Sequence, residues 1–254
     1  MRRSARRDQP ARGRQRFHLN ALVLICLLFH HAVVSSAQPD RVRAEPVRRR
    51  YDVSRRKAQA EQTRAQLLEA ATRLFSANGW SGTFVRDIAR AAGVSVETVY
   101  ATFGSKLELF KHVNDVAVVG DDAPVALADR PVFRALAEGR RPDRIAKAAA
   151  LVADIYERTS PLLVALREGA VAEPDLAVLL CTARDRQRLT FQLIVEQIIG
   201  RRLPAAAVDG AWVPFTAEVY ELLTNHCGWP RDQYIEWVEQ ELTRLVHRRG
   251  PDKS

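Results

Sequence analysis

Cysteine is scarce in this 254-residue chain, and Cys26, Cys181 and Cys227 make an odd set at wide spacing. That pattern gives no support to a disulfide framework or a cysteine-based zinc site, and it fits a reducing compartment. His226 stands beside Cys227, but no second pair accompanies them at metal-ligand spacing. Long apolar runs are missing too. The single one, Leu19 to Phe29, is shorter than the roughly 20 residues a membrane-spanning helix needs. There is no Gly-rich phosphate loop, no nucleophile elbow, no metal-ligand cluster and no carboxylate pair whose spacing demands catalysis. The sequence therefore indicates neither an enzyme nor a cofactor. From Gln62 onward no stretch alternates strictly between apolar and polar residues, so nothing argues for strands.

What is present is an ordinary globular composition, 47% hydrophobic and 27% charged, with a formal net charge of +9. The positive charge lies at the front. Residues 1–57 hold 15 Lys/Arg against 4 Asp/Glu, and the remaining residues hold 24 against 26. The folded part is thus nearly neutral, and overall basicity is no argument for an anionic partner.

Apolar residues at helical spacing predict an all-α chain, divided by Gly, Pro and Asn breakers. Helices are expected at about 62–78, 85–92, 96–102, 106–119, 131–138, 143–170, 175–200, 207–226 and 231–247, with Pro161 kinking or splitting the sixth. The chain then reads as a basic tail over 1–57, a unit of short helices over 58–105 and a larger helical unit over 106–254.

The informative stretch is Gln66 to Phe110. Leu67, Ala71, Leu74 and Phe75 form a stripe on one helix that stops at Asn78-Gly79. A two-turn helix follows, capped by Thr83 or a neighbour, with Val85, Ile88, Ala89 and Ala92 on its buried face. Gly93 sits where the chain must reverse. Ser95 is placed to cap another short helix, whose Val99 and Phe103 face inward while Val96, Glu97, Thr98, Ala101 and Thr102 stay outside. These are the parts of a helix-turn-helix. Ser105-Lys106-Leu107-Glu108 has the form of a capping box, so the next helix starts there with Lys106 in its first turn. A cation there opposes the helix dipole unless it serves another purpose, such as a bound phosphate. Tyr100 is either a phosphate contact or a packed core residue.

This segment resembles the tetracycline-repressor (TetR) family. The residues that carry the resemblance are Leu67-Leu68-Glu69-Ala70-Ala71-Thr72-Arg73-Leu74-Phe75, Gly79, Thr83, Asp87-Ile88-Ala89, Ala92-Gly93-Val94-Ser95, Thr98-Val99-Tyr100, Phe103, Lys106 and Leu109. A second stretch, Phe215-Thr216-Ala217-Glu218-Val219-Tyr220 through Gly228-Trp229, Tyr234 and Trp237, resembles the C-terminal signature of an actinobacterial branch. The resemblance implies a homodimer that binds a palindromic operator in double-stranded DNA, usually as a repressor, and that answers to a small-molecule effector. It implies phosphate contacts for Tyr100 and Lys106, base-facing positions for Val96, Glu97, Thr98 and Ala101 behind the Ser95 cap, and a groove-side place for Arg86. Phe84 departs from the family, which often has a second backbone-touching Thr there, and Glu97 stands where many members have Gly. Arg48-Arg49-Arg50 and Arg55-Arg56-Lys57 resemble a basic arm, which would add salt-sensitive affinity; the alternative is a solubilising tail.

In the remainder, polar residues within apolar helices, Tyr156, Arg184 and Gln192, are the candidates for an effector pocket. Val213, Phe215, Val219, Leu222, Leu223, Ile235, Val238, Leu242 and Leu245 are the candidates for a dimer face. The rival reading is an exported or membrane-tethered helical binding protein. It rests on Leu19 to Ala37, where Arg12, Arg14 and Arg16 precede an apolar run and Ser35-Ser36-Ala37 follows it, the form of a secretory signal. A DNA-reading module has no use outside the cytoplasm, so the expectation is a cytoplasmic protein without a membrane segment, translated from Val42, Val47 or Val53.

Overall fold

The computed structural model describes residues 47–247, with side chains from residue 54. The apolar segment 19–29, Cys26 and the Arg-rich stretches ahead of residue 47 lie outside the described residues. Within them the chain is all helical, with no strand.

The first four helices are α1 (Val47–Asn78), α2 (Val85–Ala92), α3 (Val96–Phe103) and α4 (Lys106–Val119). A short turn of helix, α5 (Pro131–Arg134), leads to the long α6 (Arg141–Ala170) and α7 (Pro174–Ile199). Then come α8 (Ala205–Trp212), α9 (Ala217–Glu221) and α10 (Arg231–His247). The axis of the fold is α6, which packs against α1, α4, α7 and α10. It can do so because apolar residues surround it: Ile145, Leu151, Ile155, Leu162 and Leu166 are all buried. This continuous packing explains why Pro161 does not divide α6. An interior proline costs about 3 kcal/mol, and burial of Leu162, Leu163 and Leu166 alone offsets it at roughly 1.5–3 kcal/mol each.

Two boundaries differ from expectation. The first helix begins at Val47 instead of near residue 62, so the basic run Arg55-Arg56-Lys57 is an exposed extension of α1. The expected helix over 207–226 is broken. Pro214 cannot donate to the preceding turn, and the chain passes through a 3₁₀ turn (Val213–Phe215), extended Thr216, α9 and a π-turn (Leu222–His226).

That broken segment closes an aromatic ring with α6 and α10. Ring centroids are 6.2 Å apart for Phe215 and Trp237, 5.8 Å for Trp237 and Tyr234, 4.8 Å for Tyr234 and Tyr220, and 6.1 Å for Tyr220 and Tyr156. The Tyr156 hydroxyl completes the circuit by donating to the Phe215 carbonyl. Phe215, Val238 and Leu242 are consequently buried within the chain, which removes them from the candidate dimer face.

Candidate nucleic-acid interface

The support for α3 is built from α1 and α2. Leu67, Ala71 and Phe75 from α1, Ile88 and Ala89 from α2, and Val99 and Phe103 from α3 are all buried together. Gly93 reverses the chain between α2 and α3 at φ +69°, and its N–H reaches back to the Ala89 and Arg90 carbonyls. Ser95 then caps α3 by accepting from the Thr98 N–H at 3.2 Å. From below, the Arg64 guanidinium lies 4.8 Å from the Phe103 ring centre and pairs with Asp122 at 2.6 Å. The inner face of α3 is thus fixed to the rest of the protein.

The outer face is open. Glu97, Tyr100 and Ala101, three to four residues apart and so on one side, are exposed, while Val96 and Thr98 are half-buried beside them. Tyr100 is 48% exposed, which decides against the packed-core alternative. Hydrogen bonds to its own backbone N–H and from Ser95 hold the Glu97 carboxyl below the usual carboxylate range, so it faces solvent as an anion. A helix with its side chains is about 10–12 Å across, a match to the roughly 12 Å width of a major groove. Arg86 is exposed on α2, and its guanidinium stands 4.7 Å over the ring of Phe84, itself 50% exposed.

Thr83 and Lys106 have partners that the linear pattern does not show. Thr83 does not cap α2. It is buried, and its hydroxyl donates to the Leu74 and Gly79 carbonyls at 3.0 and 2.7 Å, closing the end of α1 instead, while Phe84 occupies the cap position without a side-chain bond. Lys106 does not point its charge outward. Its ammonium donates to the Trp80 carbonyl at 2.7 Å and lies 3.9 Å above the Trp80 ring. Burial pushes its pKa down, opposed by Glu173 and Glu168. The cation that opposes the dipole of α4 is therefore held by an indole face and a carbonyl.

Trp80, which the linear pattern does not single out, is the other half of that arrangement. It stacks on Phe75 at 5.8 Å and meets Phe110 edge-on at 5.3 Å. Its backbone N–H donates to Glu168 at 3.2 Å, and its indole N–H donates to Glu173. A Cβ on Gly169 would stand 2.9 Å from the Trp80 ring, so the close approach requires glycine. The turn after α1 is thereby joined to the α6–α7 corner.

Of the effector candidates, only Tyr156 lies in the interior, within the aromatic ring. Arg184 is at the surface, paired with Glu218 at 3.4 Å. The Gln192 amide donates to Glu196 at 2.9 Å, and the same Glu196 oxygen accepts from the Leu203 N–H. The polar groups of both residues are engaged with neighbouring side chains.

The sequence model of the family described as bacterial regulatory proteins, tetR family, matches residues 67–113. A protein of Mesorhizobium loti MAFF303099, assigned to the TetR-family transcriptional regulators, superposes with a TM-score of 0.54. It is 19% identical, and the alignment covers 74% of this chain and 96% of that one. Residues 67–113 of this chain match the tetR-family domain, and the chain has a TetR-type fold. The TetR-like regulator LfrR of Mycobacterium smegmatis, solved with proflavine, aligns over 73% of this chain and 97% of its own at 21% identity and a TM-score of 0.50. NalD of Pseudomonas aeruginosa, the secondary repressor of the MexAB-OprM multidrug efflux pump, aligns over 76% and 100% at 20% identity, also at 0.50. No curated protein matches the sequence. In TetR terms the matched stretch runs from the middle of α1 into α4 and contains every element that positions α3.

Proposed function

We propose that this protein is a cytoplasmic transcriptional regulator that binds a palindromic operator as a homodimer, with α3 in the major groove, and that a small molecule controls it. The observation that carries the reading is the division of α3: Val99 and Phe103 are locked inside while Glu97, Tyr100 and Ala101 are exposed. On this reading Val96, Glu97, Thr98 and Ala101 face base edges, and Tyr100 and Arg86 reach the phosphates. The Glu97 carboxylate suits a cytosine amino group, the one major-groove donor of a G·C pair.

The Trp80 junction gives a route for control. A ligand that moves α6 or α7 shifts Glu168 and Glu173, hence the Trp80 turn, and through Lys106 the start of α4. The two copies of α3 in a dimer would then no longer match successive major grooves. Repression is the mode expected from the resemblance, and the C-terminal stretch supports placement in an actinobacterial branch. That LfrR was solved with proflavine is consistent with a ligand-taking helical unit here. Among the described residues no helix is long and apolar enough to cross a membrane, and no group of His, Cys, Asp and Glu could hold a metal ion. The exported alternative rests on residues outside the described ones.

The test is selection of bound fragments from genomic DNA, followed by gel shifts on the recovered sites. The proposal expects palindromic sites, and it expects Tyr100→Ala and Arg86→Ala to weaken binding. Equal binding by the parent and both variants would refute the assigned interface.

A further inference from the structure

We infer that the ring formed by Tyr156, Phe215, Tyr220, Tyr234 and Trp237 is a binding site for a neutral, planar aromatic molecule bearing a hydrogen-bond acceptor, with the Tyr234 hydroxyl as its donor. The inference rests on the ligand-responsive reading above and names the ligand class and its place.

The first observation is an unmatched polar atom. Tyr234 is fully buried, yet its hydroxyl finds no hydrogen-bond partner among the described residues. Burying a hydroxyl unpaired costs roughly 1–3 kcal/mol, and phenylalanine would fill the same space without that cost. The neighbouring hydroxyl is already used, because Tyr156 donates to the Phe215 carbonyl. Burial raises the pKa of both phenols, so each remains a neutral donor. What this interior lacks is an acceptor.

Charge and shape narrow the class. Carboxylates on the elements that carry the ring are paired with arginines: Glu157 with Arg231 at 3.3 Å, Glu218 with Arg184 at 3.4 Å, and Glu221 with Arg167. None of these carboxylates is left free to neutralise a cationic ligand, and none of these guanidinium groups to neutralise an anionic one. The facing surfaces are aromatic rings, which favour stacked or edge-on contact with another flat ring.

The wall suits entry. The segment that carries Phe215 and Tyr220 is the broken stretch, made of a 3₁₀ turn, five helical residues and a π-turn. Such turns hold poorer hydrogen bonds than an α-helix, and π-turns occur frequently at functional sites. Immediately before that stretch, Trp212 at the end of α8 carries a second unmatched donor, its buried Nε1. This part of the protein can be displaced at lower cost than α6 or α10.

Equilibrium dialysis of the full chain, without DNA, against xanthone, xanthene and 2-naphthoate tests the inference. Xanthone is flat and neutral with a carbonyl acceptor, xanthene lacks the carbonyl, and naphthoate adds a charge. Xanthone should bind, and xanthene binding and Tyr234→Phe binding of xanthone should each be weaker by about tenfold, the value of one hydrogen bond. Tyr234→Phe should unfold at the same temperature as the parent or higher. The inference fails if xanthone does not bind, if Tyr234→Phe binds it as well as the parent, or if naphthoate binds as tightly. It also fails if Tyr234→Phe unfolds at a lower temperature, since the hydroxyl would then have a partner within the chain. Gel shifts on the same preparations separate the two proposals: failed dialysis with intact DNA binding overturns this site alone, and xanthone binding without DNA binding overturns the regulator reading alone.

Discussion

Thr83 shows how much one side chain contributes to holding the DNA-binding unit together. Its buried hydroxyl satisfies two carbonyls at the end of α1. Thr83→Val keeps the shape and removes both bonds, so urea unfolding should show a loss of about 1–3 kcal/mol. His112 gives a pH dependence. Burial first, and the nearby Arg64 second, lower its pKa from the ordinary histidine value of 6.5, against the opposing pull of Asp115, Asp122 and Glu108. The folded protein therefore binds fewer protons than the unfolded chain as the pH falls through 6.5, so stability present above that pH is lost below it. Unfolding midpoints at about pH 7.5 and about pH 5.5, on either side of that value, should differ more for the parent than for His112→Gln. The roles of Gly93 and Ser95 were legible in the sequence because their partners lie within four residues. Those of Trp80 and Lys106 were not, since Lys106 bonds a carbonyl 26 residues away and the Trp80 indole a carboxylate 93 residues away, and a linear pattern does not bring them together.

Helices were easier to read than the packing between them. The bounds of α2 and α4 agree with the apolar periodicity and the flanking glycines, whereas the stretch after residue 205 does not, because Pro214 outweighs an otherwise helical pattern. The α6–α7 corner supplies a prediction about elements. Alanine at Gly169 would bring a Cβ within 2.3 Å of Leu176 and 2.9 Å of Trp80, so the corner and the turn after α1 must separate. Gly169→Ala should cost roughly 1–3 kcal/mol in thermal unfolding and weaken operator binding as well. Gly93→Ala meets nothing within 4 Å, so its cost is conformational strain alone, about 1–2 kcal/mol.

For the molecule as a whole, the location of charge matters more than its total. Residues 58–105 carry four Lys/Arg and four Asp/Glu, so on the proposed reading the basic run that precedes and extends into α1 supplies the net attraction to DNA, beside the local contact of Arg86. Replacing Arg55, Arg56 and Lys57 with Ala should weaken binding to all sequences alike. It should also flatten the log–log salt dependence by about 0.9 for each phosphate left unneutralised. The proposed dimer keeps Val213 and Leu222 as its exposed apolar positions. Leu222→Glu should shift sedimentation equilibrium toward monomer.

Trp80 is one of four tryptophans in the chain, and it is shielded from water by Phe75, Phe110 and the Lys106 ammonium. An indole kept dry fluoresces at shorter wavelength than a hydrated one. If the turn after α1 came away from the α6–α7 corner, this chromophore would meet solvent and its emission would move to the red. The joint between the two halves of the protein is therefore also its own optical reporter, and its opening can be timed without attaching a dye.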